Sequence, residues 1–157
     1  DPDLVRFSLP IIQDRIPGLG PIGGILSALQ TCRTERPDVP LVLIAPLDCP
    51  FLPTTLGAIL AERLGATGAA LACAASGGRL HATIGLWSPH LAEPLFRLVT
   101  REGVRAPRDA VARIGGLSVL FDDQPIDPFL NVNRPEDLLA AERYIAAGHG
   151  TAPKPAP

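Results

Sequence analysis

The chain has 157 residues, of which 46% are hydrophobic and 19% charged, and its formal net charge is −2. That length suits one domain with a sizeable core. A charge so near zero gives no electrostatic basis for binding nucleic acid or an anionic membrane, and the longest apolar runs are too short to span a bilayer. Three cysteines without a C-x-x-C pair favour a reducing compartment, so we expect a cytoplasmic location.

Two features of the composition are unusual. The chain contains no methionine, and Lys154 is its only lysine against thirteen arginines. We therefore expect the sequence to be part of a longer protein, in which any phosphate-binding lysine lies upstream of Asp1.

The apolar spacing predicts strands that alternate with helices along the chain. Residues 9–13 are typical of a strand end, and the nearly pure apolar run 41–45 is typical of a central parallel strand covered on both faces. The other predicted elements are helices at 22–32, 54–64 (ended by Gly65), 89–101, 108–114 and 133–147, and strands at 69–74, 83–87 and 117–121.

This alternation indicates an α/β fold, a three-layer α/β/α sandwich with a mostly parallel central sheet. We expect one domain over residues 1–147 and a disordered, proline-rich tail over 148–157. Asn133 is the expected N-cap of the last helix, with Pro135 in its first turn and Glu136 three residues on as the capping-box partner.

A glycine-rich loop precedes the first predicted helix. Gly18, Gly20 and Gly23 fit G-x-G-x-x-G, the pattern of a dinucleotide-binding turn. Five residues separate the preceding apolar run from Gly18, however, and Pro21 removes a backbone donor from the loop, which disfavours that turn. A dinucleotide-binding oxidoreductase stays open as an alternative, as do glycines that only allow the loop to turn and the helix to pack closely.

The loop at 46–53 follows the strand predicted at 41–45. Asp48 leaves the carboxyl end of that strand, where ligands collect in open α/β sheets, and three prolines stiffen its loop. One carboxylate fixed there suits Mg²⁺, which takes one or two carboxylates and completes its coordination with phosphate oxygens and water. A turn or helix-capping role for Asp48 is the alternative.

Two asparagines lie just before the last predicted helix. Asn131 and Asn133 point to the same side if the segment is extended. Asn133 is then also close to a helix N-terminus, which is an anion-binding position.

Three segments together resemble consecutive motifs of the molybdenum cofactor guanylyltransferase family, which has a Rossmann-like nucleotidyltransferase fold. They read DRIPGLGPIGGILSAL (14–29), PLDCPFLP (46–53) and FLNVNRPEDL (129–138), and a fourth similar segment is RLHATIGLW (79–87). The resemblance extends to Ile145. Two departures are the absence of the family's opening Gly-rich loop, which carries an arginine and a lysine, and Ala82 in place of a proline.

The resemblance implies a magnesium-dependent transfer of GMP from GTP to the phosphate of molybdopterin, releasing pyrophosphate. It implies Asp48 as a metal ligand and catalytic residue with Asn133, and Asp14, Gly18, Gly20 and Gly23 as nucleotide-binding residues. Arg79, His81 and Asn131 are then candidates for the second substrate. Molybdoenzyme chaperones are possible further partners, and the isolated fragment is expected to bind GTP weakly and to be inactive.

Two further alternatives stay open beside this interpretation. One is a related nucleotidyltransferase that uses another base, such as a cytidylyltransferase of the same cofactor. The other is a non-catalytic partner in molybdoenzyme maturation.

Overall fold

Helices and strands alternate along the chain, and a computed structural model describes residues 9–147. The expected tail at 148–157 lies outside the described residues. The elements, with a short 3₁₀ turn at Pro89–Leu91, are α1 (Pro21–Glu35), β1 (Val42–Ile44), α2 (Leu56–Thr67), β2 (Leu71–Ser76), β3 (Arg79–Trp87), α3 (Ala92–Thr100), α4 (Pro107–Ile114), β4 (Leu117–Leu120) and α5 (Pro135–Ala146).

The four described strands form one sheet in the order β1-β3-β2-β4. Strand β3 pairs antiparallel with β1 and β2, whereas β2 and β4 are parallel. Strands β1, β2 and β4 therefore share one direction. Gly77 and Gly78 explain the reversal of β3, because both have positive φ and form the two-residue connection of a tight β2–β3 hairpin.

Helices cover both faces of the sheet, which confirms the α/β class and the three layers. Alternate residues of β2 enter two different cores. Leu71 and Cys73 pack in a cluster with α1, α3 and α4, whereas Ala72 and Ala74 pack in a cluster with α2, Phe121 and Phe129. Trp87 is fully buried in the first cluster, as expected for a core residue.

Strand β1 is not central in the described sheet. It lies at one edge of the order, and Leu43 is 45% exposed. The prediction of a fully covered central strand at 41–45 is therefore wrong for this part of the chain, because an apolar run does not specify how many neighbours a strand has. Residues 9–13 form no strand either, and Leu9 and Ile11 are exposed.

Several element boundaries differ from the predicted ones for local reasons. Helix α2 continues past Gly65 to Thr67, and Gly68 caps it in the left-handed conformation (φ 70°). Strand β3 begins at Arg79, four residues early, because the hairpin pairs Arg79 with Ser76. The hairpin thus places Arg79 and His81 on a strand.

Candidate active site

Asp48 and Asn131 are joined directly at the carboxyl end of β1. The Nδ2 atom of Asn131 donates to Oδ2 of Asp48 at 2.9 Å, and the backbone N–H of Val132 donates to the Asp48 carbonyl at 2.8 Å. Two loops that are distant in sequence are therefore held together by side-chain and backbone bonds. Asp48 is half-buried and Asn131 is exposed, so the pair lies at the protein surface.

Cys49 packs beneath this pair. Its Sγ atom lies 3.5 Å from Oδ1 of Asn131 and 3.8 Å from the carbonyl of Phe129. Burial, with a smaller effect from the negative charge of Asp48, raises the pKa of the Cys49 thiol to about 11. The thiol thus stays protonated at neutral pH and acts as a packing residue and weak donor.

The glycine loop brings Asp14 against the first turn of α1. A Cβ atom on Gly23 would lie 3.0 Å from Cβ of Leu19 and 3.2 Å from Oδ2 of Asp14, so only glycine allows this approach without displacement. Gly20, the N-cap residue, has φ 63° and ψ −147°, a conformation accessible almost only to glycine. The carboxylate of Asp14 therefore lies near the positive end of the helix dipole.

A cleft of about 410 Å³ joins the start of α1 to the Asp48–Asn131 pair. Its walls include Pro21 and Gly24 from the helix, Asp48 and Asn131, and Thr83 from β3. The start of α1 and the carboxylate predicted to bind a metal thus face the same space, whereas none of the residues predicted to bind the nucleotide (Asp14, Gly18, Gly20 and Gly23) lines this cleft. Thr83 was not predicted as a site residue, because nothing in its spacing distinguishes it from other strand residues.

Two adjoining clefts, of about 710 and 290 Å³, share Asn131 with the first one. Both are lined by Arg79 and His81. The larger cleft also includes Thr83 and, from α4, Arg108, whereas the smaller one includes Asn133. The structure therefore brings the residues predicted for the second substrate together around clefts that adjoin the one beside Asp48.

A hydrogen-bonded chain of serine, histidine and aspartate lies at the base of the smaller cleft. The Ser76 hydroxyl lies 2.8 Å from Nε2 of His81 and donates to Oδ1 of Asp127 at 2.8 Å. In a nucleophilic triad the histidine lies between serine and aspartate. Here the serine is in the middle and is almost fully buried, so it is not placed to attack a substrate.

The surroundings of His81 lower the pKa of its imidazole and so favour the neutral form. Burial lowers the pKa of the imidazole, and Arg79 lowers it further, although the negative charge of Asp127 acts in the opposite direction. The ring also contacts Phe129, with 4.8 Å between the ring centroids. Neither Ser76 nor Asp127 was predicted as a site residue, because their separation of 51 residues gives no local signal.

Asn133 is not the N-cap of α5, so that prediction is wrong. The N-cap is Arg134, and the acceptor is Asp137, one residue beyond the predicted Glu136. Oδ2 of Asp137 accepts the backbone N–H groups of Asn133 and Arg134 at 3.1 and 2.9 Å. The helix begins two residues later than predicted because Pro135 occupies its first position, and the Asn133 side chain is released from capping.

The oxygen ligands around Asp48 are compatible with Mg²⁺ and unsuited to a multi-ligand protein cage. Across residues 9–147, no group of three or more His, Cys, Asp or Glu side chains could hold a metal ion. Asp48 offers a carboxylate at a cleft wall, and Mg²⁺ commonly binds one such group and takes phosphate and water as its other ligands.

Among the helices of residues 9–147, none combines the length and the apolar character that a membrane span needs.

The chain carries an NTP transferase domain, as the family comparison shows. Residues 1–114 match the family model described as the MobA-like NTP transferase domain. The structure is similar to that of molybdopterin-guanine dinucleotide biosynthesis protein A from Archaeoglobus fulgidus, with a TM-score of 0.69, 21% identity, and coverage of 93% of this chain and 73% of that one. That likeness supports the fold.

Curated relatives define the group within this class. The chain is 41% identical over 138 residues to the molybdenum cofactor guanylyltransferase of Rhodopseudomonas palustris (strain BisB5), covering 87% of this chain and 66% of the relative. It is 39% identical over 145 residues to the protein of that name from Nitrobacter hamburgensis, covering 92% and 69%. The chain belongs to the molybdenum cofactor guanylyltransferase family and spans about two thirds of the length of these relatives.

Proposed function

We propose that the protein transfers GMP from GTP to the terminal phosphate of molybdopterin. The observation that carries this proposal is the Asn131–Asp48 hydrogen bond at the junction of the three clefts. It fixes a carboxylate between the start of α1 and the Arg79–His81 wall, where the α-phosphate of a nucleotide would meet a second substrate. The names and high similarity of the relatives support the same reaction.

The reaction explains why no general base is required. An oxygen of the molybdopterin phosphate forms a bond to the α-phosphorus of GTP, and the bond from that phosphorus to the bridging oxygen breaks. Pyrophosphate leaves with the electron pair. The attacking phosphate is already ionised at neutral pH, so catalysis depends on charge neutralisation and on holding the two substrates in line.

Asp48 is the proposed ligand of a magnesium ion. A magnesium ion held by Asp48 would supply charge neutralisation for the phosphates. The donation from Asn131 to Oδ2 holds the carboxylate in one orientation, and Oδ1 lies 3.9 Å from Cys49 Sγ. Asn133 is proposed to support catalysis from the smaller cleft, where its side chain is available because Asp137 and Arg134 cap α5.

The nucleotide is proposed to lie along the start of α1. Gly18, Gly20 and Gly23 let the backbone approach it, and Asp14 contacts its sugar or base. Arg79 and Asn131 are proposed to bind the anionic part of the second substrate, with His81 beside them in the same clefts.

The test is a nucleotidyl-transfer assay on the gene product that contains this sequence. The gene product is incubated with molybdopterin, Mg²⁺ and α-labelled GTP or CTP. The labelled dinucleotide and the released, unlabelled pyrophosphate are then quantified. We expect product with GTP and little with CTP. Preference for CTP would identify the cytidylyl alternative, and a folded, metal-supplied protein that makes neither product would overturn nucleotidyl transfer.

A cytoplasmic location and docking to molybdoenzyme chaperones stay proposals that the same gene product can test. Fractionation of cells tests the location. Co-purification with a molybdoenzyme or its chaperone, without turnover, would instead favour the non-catalytic partner.

A further inference from the structure

The Ser76–His81–Asp127 chain has a direction that can be worked out by counting hydrogens. A serine hydroxyl has one hydrogen, and a carboxylate only accepts. The Ser76 hydrogen is donated to Oδ1 of Asp127 at 2.8 Å, and the same oxygen accepts the backbone N–H of Phe129 at 2.9 Å. The Ser76 oxygen must therefore accept the hydrogen of the remaining bond, which comes from Nε2 of His81.

This direction fixes the tautomer of the imidazole. A neutral histidine carries one ring hydrogen, so a hydrogen on Nε2 leaves Nδ1 as an acceptor. The neighbours hold the ring in place, because His81 is 8% exposed, Ser76 is 1% exposed and Phe129 packs against the imidazole. The short Gly77–Gly78 turn brings Ser76 and His81 together on paired strands.

We propose that Ser76 and Asp127 are positioning residues that keep Nδ1 of His81 as a hydrogen-bond acceptor for the second substrate. This inference rests on the proposed function. Arg79, in the same clefts, suits an anionic phosphate, whereas an acceptor nitrogen suits an N–H group of a heterocycle. The two residues together select a ligand that combines both chemistries, as a phosphorylated pterin does, and they discriminate against a phosphate that lacks an N–H group.

The first experiment reads the tautomer directly and does not depend on catalysis. ¹⁵N–¹H long-range NMR spectra of the 157-residue chain, at a pH where His81 is neutral, should show the hydrogen on Nε2. The resonance is assigned by its loss in His81→Gln. A hydrogen on Nδ1 in the unsubstituted chain, or an even mixture, overturns the inference without any further variant.

Matched variants separate the hydrogen bond from the charge. Asp127→Asn keeps an Oδ1 acceptor for Ser76 and Phe129, so it should keep the Nε2–H tautomer. Asp127→Ala removes the acceptor of the Ser76 hydrogen, and Ser76→Ala removes the hydroxyl oxygen that accepts from His81. Each variant should give a mixture of the two imidazole tautomers. Asp122→Asn, at an exposed carboxylate outside the chain of bonds, serves as the control. If Ser76→Ala and Asp127→Ala, shown to be folded, both keep the pure tautomer, the inference is overturned.

The ligand role has its own measurement. Adding molybdopterin should shift the Nδ1 resonance of His81 in the unsubstituted chain, whereas inorganic phosphate should not, and an unmoved Nδ1 at saturation overturns the inference. In the gene product, Ser76→Ala should raise KM for molybdopterin about 3- to 10-fold, the scale of one neutral hydrogen bond, with kcat and KM for GTP nearly unchanged. If the tautomer is the expected one but the unsubstituted enzyme shows no turnover, only the proposed function is overturned.

Discussion

Asn131 donates a hydrogen bond to Asp48 across a separation of 83 residues, and the N···O distance is 2.9 Å. The amide occupies one carboxylate oxygen, and the backbone bond from Val132 to the Asp48 carbonyl fixes the loop that carries it. No salt bridge reaches Asp48 from within residues 9–147. Its negative charge is thus oriented but not neutralised by the protein, as a cation site requires.

Asp48→Ala should lower turnover by roughly 10²–10³, the scale for removing one preorganised electrostatic partner. The side chain is half-buried in a loop and supports little of the core, so the thermal unfolding midpoint should change little. Pyrophosphate release by the gene product measures the effect. Asp38→Asn is the control, because Asp38 is an exposed carboxylate paired with Arg36; normal turnover in Asp48→Ala would refute the metal assignment.

Asn131→Asp should make the thermal stability of the chain depend on magnesium. The substitution replaces a donor with a second negative charge next to Asp48, and like charges at about 4 Å repel by about 1 kcal/mol even in water. The thermal midpoint should fall without metal and recover on adding Mg²⁺, more than in the unsubstituted chain. Asn133→Asp adds the same charge without replacing a donor to Asp48, so an equal magnesium response in both variants would count against the site.

Much of the fold could be predicted because local patterns determine it. The apolar spacing of α1 and the positions of α2 to α4 follow from helical periodicity. The order and direction of the strands were harder to predict from the sequence. The reversal of β3 depends on the Gly77–Gly78 turn, and the edge position of β1 depends on which strands pair with it, which no apolar run specifies.

The residues of the candidate site likewise divide into those that local sequence patterns indicate and those that only the tertiary structure brings together. Asp48 and Asn131 could be singled out because Asp48 follows an apolar strand and both belong to recognisable motifs, and the structure joins them by a hydrogen bond. Ser76 and Asp127 could not be predicted, because their contact depends on tertiary packing between a hairpin and a distant loop. The cap of α5 was misplaced because Glu136 and Asp137 are adjacent acids, and only the backbone geometry selects between them.

Gly20→Ala should destabilise the protein by about 1–3 kcal/mol, although nothing lies within 4 Å of the added Cβ. The cost arises from the backbone, because φ is 63° and ψ is −147°. Gly65→Ala is the matched control: it also meets open space but lies within α2, where alanine is favoured by about 0.5–1 kcal/mol. Urea unfolding measures both, and equal effects would show that the loop conformation is not required.

Lowering the pH should destabilise the unsubstituted chain more than His81→Gln. Burial lowers the pKa of His81 in the folded state below its ordinary value of 6.5, so the unfolded chain binds more protons in the interval between the two values. The stabilising contribution is present above 6.5 and is lost as the pH falls towards the folded pKa.

The His81→Gln variant keeps a side-chain donor for Ser76 but has no titrating group at this position. The difference between the two pH profiles therefore isolates the histidine from Asp127 and Arg79, which also act on it. The free energy of unfolding from urea titrations between about pH 5 and 8, the range in which a histidine titrates, is the measurement. Parallel profiles would contradict the lowered pKa.

Cysteine labelling should distinguish one accessible thiol from two protected ones. Cys32 is half-buried, whereas Cys49 and Cys73 are buried. Burial raises the pKa of Cys49 to about 11 and that of Cys73 to about 12, so their reactive thiolate fractions at about pH 8 are very small. A chromogenic disulfide reagent should therefore react quickly with one thiol of the native chain and with three after unfolding.

Cys32→Ser should abolish the fast phase, and a remaining fast phase would show that one of the buried thiols is accessible. Asp48→Asn provides the sharper comparison, because the charge of Asp48 also raises the pKa of Cys49. Removing it should speed the labelling of Cys49 and leave that of Cys73 unchanged, since burial alone raises the pKa of Cys73. Equal acceleration of both cysteines would indicate that the substitution loosens the fold instead of acting through the charge beside Cys49.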